Sequence, residues 1–476
     1  MTATATDWEV VIGLEVHAEL RTATKLFCSC RNSFGDEPNT NVCPVCLGLP
    51  GSLPVLNRQA VEYAMRIGTA LHCTIQPSIF HRKNYFYPDM PKDYQISQYD
   101  IPINADGWLA LPNGRRIGIV RAHLEEDTGK TTHVGGGGRI HEAAHSLVDY
   151  NRAGVPLVEI VSAPDLRGVE DARTYVDELR GILVATGASD GKMEEGSLRV
   201  DANVSVRPAG ETAFGTRCEI KNLNSLRSLG RAIEYEARRQ ISLIAEGETV
   251  LQETRHWDES TGRTGSMRSK EEAYDYRYFP EPDLVPVAPS SEWIAAVATA
   301  LPVLPAARRA SVAEAAGMAP DDDPVITVVR LGLEPYVDAV VAAGGDAGLA
   351  VRRLANEVAA QVDSISRLTP DAFVALVAME HEGALTTAQA REVLKELLES
   401  SGDPKEIAAR RRFEALGTGA LEAVVDEVVA AHPDEWARYA GGEDKLTGFF
   451  IGHIKTATEG KADPKAASAL LRTRRG

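Results

Sequence analysis

Glu9-Val10-Val11-Ile12-Gly13-Leu14-Glu15-Val16-His17 alternates polar and apolar residues over its second half. That is the period of two expected for a strand with one wet face and one buried face. Arg199-Val200-Asp201-Ala202-Asn203-Val204-Ser205-Val206 repeats the pattern. Around these runs Gly, Pro, Tyr, Asn and His recur, and helical spacing appears at residues 58–71, 171–186 and 225–246. The reading is an α+β domain built on antiparallel strands. Near residue 290 the composition turns to Ala, Val, Leu, Arg and Glu, and residues 349–364 and 387–399 carry apolar side chains at three- and four-residue spacing, which predicts helices. Ser400-Ser401-Gly402-Asp403-Pro404 predicts a hinge between two helical units. The glycine-rich stretch 135–138 predicts a surface loop.

The chain has 476 residues, 44% hydrophobic and 25% charged, which is ordinary globular usage with material for two to four domains. Its net charge of −17 argues against a nucleic-acid binder that uses its whole surface. No apolar run approaches the ~18 residues of a membrane span. Residues 1–7 carry neither a basic nor an apolar signal region, so a cytoplasmic enzyme is expected.

Cys28-Ser29-Cys30 and Cys43-Pro44-Val45-Cys46 form a CxC and a CxxC pair. Four sulfurs in two close pairs suit tetrahedral Zn²⁺, and four leave no open position, so the zinc would be structural. Two disulfides are the alternative, disfavoured in a reducing compartment. Cys73 and Cys218 stand alone and read as buried, inert thiols.

Carboxylates recur on the strand-like runs. Glu15 and His17 share a strand face. His123-Leu124-Glu125-Glu126-Asp127 is an acidic cluster, Glu159 interrupts the apolar run 156–161, and Asp201 shares a face with Asn203. A charge in an apolar strand needs a partner or a metal. Hard oxygens with an imidazole suit Mg²⁺ or Mn²⁺; salt bridges to nearby Arg and Lys are the alternative. Arg82-Lys83-Asn84-Tyr85-Phe86-Tyr87-Pro88-Asp89-Met90-Pro91-Lys92 and a sister segment at 274–283 interleave aromatic, basic or acidic, and Pro residues. Each could meet phosphate and stack on a base, or pack as an aromatic-anchored loop. No phosphate-binding GxxxxGK[ST] loop and no GxSxG nucleophile elbow occurs. Basic clusters at 410–412 and among Lys445, Lys455, Lys461, Lys465, Arg472, Arg474 and Arg475 are candidates for phosphate contact.

These motifs, with Lys192-Met193-Glu194-Glu195-Gly196-Ser197, Lys221-Asn222-Leu223-Asn224-Ser225 and Lys445-Leu446-Thr447-Gly448-Phe449-Phe450, make the chain resemble the GatB family over its whole length. That family supplies the B component of the tRNA-dependent amidotransferase. The resemblance implies a glutamine-synthetase-like cradle of antiparallel sheet at 1–292, a helical domain at 293–405 and a small tRNA-binding helical tail at 406–476. It implies use of ATP and Mg²⁺ to phosphorylate the side-chain carboxylate of Glu-tRNA(Gln) or Asp-tRNA(Asn). Ammonia from the glutaminase, the A component of a heterotrimer, would then give the amide, with the C component strapping the other two together. Glu15, His17, Glu126, Glu159 and Asp201 match the family's metal and kinase-site positions, and Lys83 a position near where ammonia arrives; Glu125 is a neighbour without an assigned role. Two other classes stand beside this reading: a zinc-containing tRNA-binding subunit without chemistry, and a free-standing ligase of glutamine-synthetase type.

Overall fold

Trp8–Glu19 forms strand β1, whose Ile12, Leu14, Val16 and Ala18 are fully buried while Glu15 and His17 lie between them on the opposite face. Burial of each large aliphatic side chain contributes about 1.5–3 kcal/mol, which locks the register. The computed structural model describes residues 8–135, 143–269, 276–413, 418–458, 462 and 464–475. After β1 follow β2 (Thr74–Ile75), β3 (His81–Asn84), β4 (Tyr94–Ser97), β5 (Asn104–Ala110), β6 (Arg116–Glu126), β7 (Lys130–Val134) and β8 (His145–Asp149). Then come β9 (Pro156–Ser162), β10 (Leu198–Pro208), β11 (Cys218–Leu223), β12 (Glu253–Asp258), β13 (Arg263–Ser269) and β14 (Phe279–Pro280).

Among the described residues twelve strands make one sheet along the path β13-β12-β11-β10-β1-β9-β6-β4-β3-β14, with β5 also on β6 and β2 on β5. The sheet is mixed: the pairs are antiparallel except β11 with β12. Helix α3 (Leu226–Ala245) lies between those two strands in the chain, as a parallel pair requires a long crossover. Helices α1 (Arg58–Ala70), α2 (Val169–Ala185) and α3 pack on the apolar face, touching β6, β1 and β10. The other face keeps the polar residues. β7 and β8 pair as a separate hairpin flanking the glycine stretch, of which only Gly135 lies among the described residues.

The two aromatic segments are partly strands rather than free loops. β3 and β14 pair, setting Arg82 opposite Phe279. Arg82 donates to Glu281 at 2.6 and 2.8 Å and lies over the Tyr94 ring, so its guanidinium is engaged within the fold. Residues 270–275, which include the start of the sister segment, lie outside the described residues.

Two compact units divide the chain, at residues 1–305 and 306–476. The composition change near 290 precedes the boundary because helix Ser291–Thr299 packs Trp293 and Val297 on the first core, with Arg58 over the Trp293 ring at 4.5 Å. Among the described residues the second unit has two cores. One includes Val325, Phe373, Leu394, Ile407 and Ala408, the other Leu421, Val425, Phe450, Ile454 and Leu471. Ile407 and Ala408 draw helix Pro404–Arg410 into the first of these, so the turn through Ser401 (φ 60°) and Gly402 (φ 132°) joins packed helices instead of separating units. The run 349–364 is α-helical only to Arg353. It then passes through a π turn and a 3₁₀ segment with non-helical Gln361, where Val, Ser, Asp and Ile lower helix propensity. No helix among the described residues is long and apolar enough to cross a membrane.

Candidate metal centre

Register assembles the site. On the polar face His17 of β1 stands opposite Glu159 of β9, and Glu159 stands opposite His123 of β6. Directly paired side chains on one face come within contact range. Two residues along β6, Glu125 points to the same face as His123, and Glu126 to the other. His17 Nε2 lies 3.6 Å from Glu159 Oε2 and 3.7 Å from Glu125 Oε1. His123 Nε2 lies 3.7 Å from Glu159 Oε2, and Arg121 donates to Glu159 Oε1 at 3.3 Å. Ligand atoms of His17, Glu125 and Glu159 all fall within 4.8 Å of one another. Buried carboxylates with an imidazole, too far apart to be hydrogen-bonded to each other, fit a divalent cation.

The charges are mutually dependent. Burial opposes protonation of His17, yet Glu159 and Glu125 raise it to about 9. Burial, with Arg121 and His17 beyond it, pushes His123 down to about 4, and its Nδ1 is buried with no hydrogen-bond partner among the described residues. Against the cost of burial, His123, His17 and Arg121 hold Glu159 well below the usual carboxylate range. Burial and Glu159 raise Glu125. Tyr278, stacked on Tyr99 at 4.0 Å, has its phenol pushed up by burial and by Glu125 and Glu159. Lys83 Nζ sits 4.6 Å from the centre of the Tyr276 ring.

Of the expected ligands, His17 and Glu159 converge and Glu126 does not. Glu126 is turned to the other face of β6, where it is ion-paired with Lys92 and accepts from the Ile96 N–H at 2.8 Å. Glu125 takes its place in the cluster. Glu15 faces Asp201 across β1 and β10, one row along the sheet. Glu15 accepts from Asn203 at 2.9 Å, and Asp201 from Lys221 at 2.9 Å, which also lies 3.1 Å from Glu219. Against burial, Asp201 and Glu219 raise the Lys221 ammonium. The sequence signals gave Arg121 no part in this site, and left His123, quoted within the acidic cluster, and Lys92, at the end of the aromatic segment, without a role. The alternation His123-Leu124-Glu125-Glu126, with Leu124 apolar, carried the signal that selects Glu125 over Glu126.

The four cysteines meet as expected. All are free thiols, and the four sulfurs lie within 4.8 Å of one another. The Cys43–Cys46 separation is 3.9 Å, against the ~3.8 Å between sulfurs on a tetrahedral zinc. The Cys43 N–H donates to Cys46 Sγ at 3.0 Å, and hydrogen bonding with Cys28 brings the Cys46 thiol down to about 5. Gly48 turns the chain at φ 67°, and a Cβ there would collide with the Lys92 side chain, so the turn requires glycine. The donor set fits Zn²⁺. Cys218 is fully buried and Cys73 partly so.

The basic tail is paired in part. Arg410 and Arg411 meet Glu396, Arg474 meets Asp426 at 2.7 Å and Arg475 meets Asp444 at 2.5 Å. Arg412, Lys445, Lys455 and Arg472 stay exposed; Lys461 lies outside the described residues.

A family model described as the GatB/GatE catalytic domain matches residues 10–295, and one described as the GatB domain matches 335–474. The chain is similar to the B subunit of aspartyl/glutamyl-tRNA(Asn/Gln) amidotransferase from Frankia casuarinae, 50% identical over 98% of this chain and 96% of the relative. Its counterpart from Gloeobacter violaceus is 49% identical over 100% and 88%. That from Carboxydothermus hydrogenoformans is 47% identical over 98% of each.

Proposed function

Since this chain belongs to the GatB family, we propose that it is the phosphorylating and amide-forming subunit of a tRNA-dependent amidotransferase. It would act on Glu-tRNA(Gln) or Asp-tRNA(Asn) within a heterotrimer, beside the glutaminase (the A component) and the strapping C component. The supporting observation is the convergence of His17, Glu125 and Glu159 on one sheet face, flanked by His123 and Arg121.

A free carboxylate reacts poorly with ammonia because oxide would have to leave. Phosphorylation by ATP supplies a good leaving group, and the transfer demands positioning and charge neutralisation. When bound, Mg²⁺ held by His17, Glu125 and Glu159 would neutralise charge on the phosphoryl group. Arg121 holds Glu159 in place at 3.3 Å. Lys221, between Asp201 and Glu219, offers a cation one row away for phosphate oxygens, and Glu15 and Asn203 orient each other beside it. Lys83, beside the Tyr276 ring, would lie near the incoming ammonia, as the family resemblance implies. The cysteine set holds no open position, so zinc would serve structure.

The test is the assembled complex with ATP, glutamine and mischarged tRNA. Glu159→Gln and Asp201→Asn are expected to abolish tRNA-dependent ATP turnover while glutamine hydrolysis persists. Amide formation at the unsubstituted rate in either variant would remove that residue from the essential site. A complex that binds tRNA but never turns over ATP would make the chain a tRNA-binding subunit only.

A further inference from the structure

The carboxylate cluster does not account for a cavity of about 550 Å³ beside it. Glu19, which follows Glu15 and His17 on the same face of β1, forms part of its wall, with Arg21, Asn32, Phe34, Lys130 and Ser197. Glu19 has no Lys, Arg or His within ion-pair range among the described residues. The nearby guanidiniums are committed to Asp127: Arg199 at 2.8 Å and Arg152 at 3.5 Å. Glu19 is thus a partly buried carboxylate on a cavity wall, beside Asp127 and within the field of Arg199 and Arg152 but outside ion-pair range of either, with the cavity open in front of it.

An amino acid esterified to tRNA has lost its α-carboxylate, so its α-ammonium is the unbalanced charge of the substrate. Two carbons separate that ammonium from the side-chain carboxyl in aspartate, and three in glutamate. Alternate residues of a strand stand about 7 Å apart, so Glu19 and the row of His17 are spaced to hold the two ends of one aminoacyl group. Phe34, 75% exposed, offers a ring face to the terminal base; the wall also carries Asp36, Asp149, Asp190 and Glu195, which favour the ammonium, and leaves Arg21 and Lys130 for the adjoining phosphate.

Building on the functional reading above, we propose that this cavity receives the aminoacyl-adenosine end of the charged tRNA, with the Glu19 carboxylate binding the α-ammonium. The side-chain carboxyl then points along β1 to the His17–Glu125–Glu159 cluster. Free glutamate or aspartate, whose own α-carboxylate opposes Glu19 and the neighbouring acids, is disfavoured at the same place.

The test uses the assembled complex and two substrates: the mischarged tRNA and its α-hydroxy analogue, in which a hydroxyl of similar size replaces the ammonium. A charge-assisted hydrogen bond in a partly dry site predicts a KM at least about tenfold higher for the analogue, with kcat less affected. Glu19→Gln is expected to raise KM for the normal substrate by a similar factor and to erase the difference between the two. Equal KM values for both substrates with the unsubstituted complex would overturn the proposal, whatever the variant's folding. So would a folded Glu19→Gln that keeps the discrimination. No amide from the normal substrate with the unsubstituted complex would instead refute the functional reading on which the proposal rests.

Discussion

Lys92→Met separates a structural carboxylate from a cation ligand at Glu126. Both side chains are almost wholly buried, 6% and 3% exposed. Besides the ammonium, the Glu126 carboxylate accepts from the Ile96 N–H at 2.8 Å. Removing Lys92 leaves a buried charge with that single donor, a change that typically costs about 3–5 kcal/mol. For a unit of about 300 residues about 1 kcal/mol moves Tm by roughly 1.5–2 °C, so a fall of about 5–10 °C is expected. Adding Glu126→Leu removes the orphaned charge and is expected to restore most of the loss. The assay is thermal unfolding of the full chain, paired with a divalent-cation titration followed by calorimetry. Cation affinity is expected to survive in both variants, because His17, Glu125 and Glu159 lie on the opposite face. A loss below about 1 kcal/mol for Lys92→Met, or abolished cation binding in the double variant, would refute this account.

Cys43→Ser is expected to lose bound zinc, read by elemental analysis, and to lower Tm, because a closed metal site couples binding to folding; an unchanged Tm without metal would contradict it. His17 binds its proton more tightly folded (about 9) than unfolded (6.5). Its contribution to stability is therefore complete below about pH 6.5 and disappears as pH rises through 9 in the cation-free chain; denaturant midpoints across that window should lose the slope in His17→Asn. His123, depressed to about 4, acts in reverse. It costs stability as pH falls from 6.5 towards 4, and His123→Asn should relieve that loss. Deleting residues 418–476 removes the last core but spares Ile407 and Ala408; KM for tRNA should rise more than kcat falls, and an unchanged KM would exclude this segment from tRNA contact.

Much was legible because it depends on local spacing. Alternation at 9–17 and 199–206 defined two central strands, since each residue's face follows from its parity once one side is apolar. The CxC and CxxC spacings placed two sulfurs near each other in each pair because each pair spans a single turn; the meeting of the two pairs is seen only in the structure. Glu15 with His17, and Glu159 within its apolar run, were identified as buried polar groups needing partners.

Pairing between strands remote in sequence was not legible. His17 meets Glu159, and Glu159 meets His123, only because β9 inserts between β1 and β6. That order is a property of how twelve strands bury their apolar faces under three helices. The same tertiary choice decided between Glu125 and Glu126. One faces the cluster and the other Lys92, because Leu124 between His123 and Glu125 points into the core. Adjacent carboxylates of equal chemistry acquired different roles from a half-turn of the pleat. The cavity beside Glu19 likewise exists only where loops from residues 32–38, 149–155 and 190–197 close around the end of β1. Local periodicity fixes which way a side chain points; long-range packing fixes what it meets.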